Sequence, residues 1–177
     1  MKRYYPILLL PFILQILACK KKEENQNQTT TGPCRTCVQN LVSNKESDSV
    51  FFYIPTAFTP NGDGKNDLYR PVSKGIKDGS LQITIYDGNG NLIHTITNPL
   101  QGWAATDSKG KILSSGNYPV SISYETITGK KTEDCTCVAI LAYQGNCIPT
   151  NGMQYYFEDQ LGIGNGFIYQ TSENLCK

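Results

Sequence analysis

Hydrophobic and polar positions alternate with a period of two in several short runs, the spacing of strands that bury one face. Residues 81–86 (LQITIY) set Leu81, Ile83 and Ile85 on one side. Residues 118–124 (YPVSISY) do the same with Val120, Ile122 and Tyr124. Residues 50–54 (VFFYI) and 135–143 (CTCVAILAY) are continuous apolar runs. The second predicts a central strand. Residues 91–97 (NLIHTIT) follow Asp87-Gly88-Asn89-Gly90, a hairpin signal. Thr128-Gly129-Lys130 predicts the turn between the last two long strands. Residues 155–157 and 167–169 predict two further short strands, flanking a glycine-rich stretch at 162–166. That GxGxG lacks the strand-to-helix context of a phosphate cradle and reads as a hairpin loop. No window of eleven or more residues keeps a 3.6 period. Short strands separated by turn signals predict an all-β sandwich or barrel.

The N-terminal run has a different pattern. Lys2 and Arg3 precede an apolar stretch at 6–18 (PILLLPFILQILA). It falls short of the about 20 residues a helix needs to cross hydrocarbon, and Pro11 interrupts it. A basic flank, a short apolar core and small Ala18 predict a secretory signal over residues 1–18. Ile16-Leu17-Ala18-Cys19 resembles a bacterial lipobox, in which the cysteine is acylated and becomes the new N-terminus. Leu17 departs from the Ser, Ala or Thr commoner there. Residues 19–33 (CKKKEENQNQTTTGP) have no large apolar side chain to bury, so they predict a disordered tether. Lys22-Glu23-Glu24 resembles a surface-export signal of lipoproteins in gliding bacteria, and reads equally as a solvated charge run. Lys20, by the same resemblance, favours the outer membrane over the inner. Together these predict an outer-membrane, lipid-anchored chain at the cell surface.

Charge narrows the partners. The 177 residues carry 16 Lys and Arg against 15 Asp and Glu. A near-neutral chain lacks the basic face that phosphate neutralisation needs, so no nucleic acid is expected. His94 is the single histidine, which removes most histidine-based metal and acid–base sites. It is expected to be an exposed strand residue. Trp103 is expected as a core or edge plug, with a sugar platform as the alternative.

Seven cysteines are present, and lipidation would take Cys19. Cys34, Cys37, Cys135, Cys137, Cys147 and Cys176 remain, an even number that fits three disulfides in an exported chain. Cys34-x-x-Cys37 and Cys135-x-Cys137 also have the form of two half-sites for zinc, with no histidine nearby to support it. A redox CxxC would want a helix N-terminus, and none is predicted. On a strand, Cys135 and Cys137 share a face. They could hold the 34–37 segment against a sheet edge, leaving Cys147 and Cys176 to close the C-terminal tail. The resulting organisation is a cysteine-containing lead-in at 34–49, a body at 50–143 and an extension at 144–177.

Residues 54–67 (IPTAFTPNGDGKND) are the most specific string. Gly62 and Gly64 permit positive φ, and the Asn and Asp side chains can bond back to the main chain. The same oxygens offer a weak calcium site: the side chains of Asn61, Asp63 and Asp67 and the carbonyl of Lys65. The spacing is not that of an EF-hand, and two carboxylates imply low affinity. The string resembles the opening of the gliding motility-associated C-terminal domain, on Pro60, Asn61, Gly62, Asp63, Gly64, Asn66 and Asp67. The resemblance continues through 81–92, Gly102-Trp103, Ser115-Gly116-Asn117-Tyr118 and the strand to Leu141. It implies an immunoglobulin-like antiparallel β-sandwich and a type IX secretion connection. Two departures stand out. The family's Trp-Asp-Gly is Trp103-Ala104-Ala105 here. The family domain usually ends its protein, whereas residues 144–177 follow it here, which argues against a C-terminal sorting role. Asp48-Ser49-Val50 resembles a short O-glycosylation motif of related bacteria and reads more simply as a strand-entry turn.

No nucleophile elbow, paired-carboxylate signature or histidine cluster is present. The expectation is a non-enzymatic envelope or surface module that binds an envelope or surface protein. The alternative is a carbohydrate-binding module using Trp103 and the tyrosines, its partner a glycan.

Overall fold

The computed structural model describes residues 34, 37, 39–161 and 169–176. The expected signal, Cys19, the tether and the 162–166 loop lie outside the described residues.

Among the described residues, eight strands form two sheets. Strands β1 (Val42–Ser47), β2 (Val50–Ile54) and β4 (Val72–Lys74) make a three-stranded sheet in the order β1-β2-β4. Strands β3 (Ala57–Phe58), β5 (Gln82–Tyr86), β6 (Leu92–Ile96), β7 (Gly116–Glu125) and β8 (Lys131–Ile140) make a five-stranded sheet in the order β3-β8-β7-β5-β6. The fold is the expected all-β, immunoglobulin-like sandwich. One pairing is parallel: Ala57 and Phe58 lie beside Ala139 and Ile140. The chain crosses between sheets at Pro55-Thr56 without a hairpin, so β3 joins the second sheet without reversing.

The two-residue alternation builds the core. Ile83 and Ile85 of β5, Val120, Ile122 and Tyr124 of β7, and Val138 and Ile140 of β8 face Val42, Phe52 and Ile54 of the small sheet. Phe52 stacks on Tyr124 with ring centroids 4.4 Å apart. Each such side chain, fully buried, contributes about 1.5–3 kcal/mol. The β7–β8 hairpin is the longest ladder, with ten residue pairs in unbroken register. Its turn closes where the Thr126 hydroxyl accepts the Lys130 N–H and Gly129 takes φ 88°.

Several expectations change. Strand β8 lies one place from the edge of its sheet, and β7 holds the centre. The apolar run of β8 is continuous because its outward face is covered too: Cys137 and Ala139 are buried, Cys137 in a disulfide to the lead-in and Ala139 against Phe157. Strand β1 falls within the expected lead-in. Its sequence, VSNKES, has one apolar residue and gives no alternating signal. Residues 155–157 are not a strand. Instead the Tyr156 carbonyl accepts the N–H groups of Thr56 and Ala57. Residues 167 and 168 lie outside the described residues. His94 is half-buried rather than exposed, because it pairs with inward-facing Ile85. Its ring stacks on Trp103, centroids 6.2 Å apart.

Candidate functional site

The signature loop closes on itself. Asn61 Oδ1 accepts the Asp63 N–H at 3.0 Å, and Asp63 Oδ1 accepts the Lys65 N–H at 2.9 Å, which makes two successive Asx turns. The Asp67 carboxylate then gathers three amides. Its Oδ1 takes those of Asn61 at 3.0 Å and Gly62 at 2.6 Å, and its Oδ2 takes that of Gly64 at 2.7 Å. Converging these amides requires left-handed backbone, and Gly62 and Gly64 supply it at φ 80° and 85°. Asn61 Nδ2 donates to Asp63 Oδ2 at 3.2 Å. Every side-chain oxygen suggested for calcium therefore already accepts a hydrogen bond within the loop. Two carboxylates so engaged fall short of the six to eight oxygens calcium prefers. Among the described residues, no three His, Cys, Asp or Glu side chains group as for a metal. The arrangement is that of a turn.

The loop is also one side of a seam. Residues 144–161 and 169–176 fold back over it, and Glu173, only 6% exposed, enters from the extension. Its Oε1 accepts the Thr59 hydroxyl at 2.7 Å and Asn66 Nδ2 at 2.9 Å, and its Oε2 accepts the Tyr143 hydroxyl at 2.8 Å. Asn66 is held at both ends of its amide, since its Oδ1 accepts the Asp159 N–H at 3.2 Å. On the flank, Arg70 makes a two-oxygen pair with Glu158 at 2.7 and 2.8 Å. Phe157 is fully buried against Ala57 and Ala139, and its carbonyl accepts the Tyr53 hydroxyl at 2.8 Å. Burial first, then the nearby Asp159 charge, raises the Tyr53 phenol well above its ordinary value, so it stays a donor. A cleft of 420 Å³ remains between loop and extension, lined by Lys65, Asp67, Arg70, Glu158 and Ser172 among others.

Glu173 and Phe157 are the residues that sequence reading missed. Neither carries a local signal. Glu173 sits in a polar tail, and Phe157 in a run that reads as a short strand.

The cysteines pair as Cys34–Cys135, Cys37–Cys137 and Cys147–Cys176, with Cα atoms 5.8, 5.3 and 5.1 Å apart. Cys135 and Cys137 share the outward face of β8, opposite Ser121 and Pro119. The zinc and redox alternatives give way to disulfides.

The remaining motif residues are structural. Trp103 is 1% exposed, and its Nε1 donates to the Thr106 carbonyl at 2.7 Å. A buried indole cannot present a sugar platform, so that reading of Trp103 is overturned. Tyr118 packs edge-on against Trp103 at 6.2 Å and donates to the Ser114 carbonyl at 2.8 Å. Gly116 opens β7 at φ 155°. Ala105, which stands where the resembled motif has glycine, is left-handed at φ 56°. The turn after Trp103 thus keeps the conformation glycine favours without the glycine. Ser49 and Asp48 form the exposed β1–β2 turn, as the strand-entry reading expects.

No curated protein matches the chain. The model of one family, the CHU_C type IX secretion signal domain, matches residues 51–139, half of the chain. That span runs from β2 to β8 and contains the signature loop, Trp103 and all but the last residue of the β7–β8 hairpin. The chain belongs to the type IX secretion signal domain family.

Proposed function

We propose that this protein is a lipid-anchored, non-catalytic module of the cell envelope, displayed at the surface to bind an envelope or surface protein. Its family associates it with type IX secretion, and a sorting domain implies a secreted or cell-surface protein. The anchor and the binding role are the finer reading.

The observation that supports it is where the disulfides sit. Cys34 and Cys37, directly after the 19–33 stretch, are bonded to the middle of the longest hairpin. A pull on Cys19 then enters the sandwich through β8 and does not peel β1 from its edge. An anchored module under shear needs that protection at its point of attachment. The glycan alternative has lost its tryptophan.

Cys19→Ser tests the anchor. Acylation adds about 0.8 kcal/mol per buried CH₂, and more than one chain fixes a protein stably. The variant is expected in the soluble fraction or as unprocessed precursor. Full, correctly processed membrane retention would sink the reading.

A further inference from the structure

We draw no further inference here: the strongest candidate, the apolar groove beside the signature loop lined by Pro60, Asp63, Ile112, Leu113, Leu141 and Tyr143, carries none, because nothing in the structure shows what covers it.

Discussion

At the residue scale, four side chains give sharp tests. Asp67 accepts three loop amides and Asp63 accepts one amide and one side-chain N–H. Asp63→Asn should cost little, because Asn supports the same Asx turn. Asp67→Ala strands three amides at an exposed site and should cost about 1–2 kcal/mol in urea denaturation. Millimolar calcium should move neither melting temperature appreciably. A resident ion at 100 times its dissociation constant would add about 2.7 kcal/mol, so a shift of many degrees would restore the metal site. Tyr69 is fully buried, and its hydroxyl has no partner among the described residues. An unpaired buried hydroxyl costs about 1–3 kcal/mol, so Tyr69→Phe should raise stability by about 1 kcal/mol. His94 is pushed below its usual 6.5 by burial. The unfolded chain then takes the proton first. Its contribution to stability is full above pH 6.5 and declines as pH falls from there through the folded value. As the single histidine, it is easily followed by NMR titration, which should give a midpoint below 6.5, and His94→Phe should flatten that part of the stability profile.

At the element scale, the paired disulfides should act non-additively. Either one alone closes a loop of 100 or 101 residues in separation, worth about 4.7 kcal/mol on the chain-entropy model. Once one exists, the other closes only the small ring between the CxxC and CxC segments. Removing Cys37–Cys137 alone should therefore cost much less than removing both pairs, and denaturation of the two variants measures the gap. A single-pair loss as costly as the double would mean that strain or packing dominates. Strand sequences show how far pattern reading reaches. Strands β5 and β7 alternate and bury the expected faces. Strand β8 was legible as a continuous apolar strand but not as off-centre, because an apolar run covered by a disulfide-held segment and by Phe157 looks in sequence like a central strand. Strands β1, β3 and β4 are polar or very short, and only pairing with neighbours defines them.

At the scale of the whole molecule, acid should loosen the sandwich and the C-terminal extension together. Asp87 is lowered chiefly by the Asn91 side chain, Asp107 by the Lys111 amide, and Glu125 by Lys77. Burial works to raise Asp159, but bonds from Ser172 and Thr171 outweigh it and leave it lowered. Each depressed carboxyl supports folding above its unfolded value, near 3.8 for Asp and 4.5 for Glu, and that support is lost as pH falls through the folded value. In the His94→Phe chain, which lacks the decline that starts below pH 6.5, urea midpoints should hold steady down to about pH 5 and drop steeply below 4. Asp159→Asn should shift that drop for the Thr56 and Ala57 amides more than for Ile83. A midpoint that does not fall would remove these carboxyls from the account.

The sequence alone determined the class of fold, because period-two alternation and turn residues are local and each strand declares its buried face. It also determined the family, through a loop whose Asn, Gly and Asp residues close a turn among themselves. Pairing Cys147 with Cys176 was accessible by elimination. Only the tertiary structure decided what the extension does. The contacts of Glu173 with Thr59 and Asn66 span more than a hundred residues, and no periodicity or spacing encodes a meeting that distant. The inward turn of His94 and the burial of Trp103 were decided the same way, by which face of a strand the opposite sheet happens to cover.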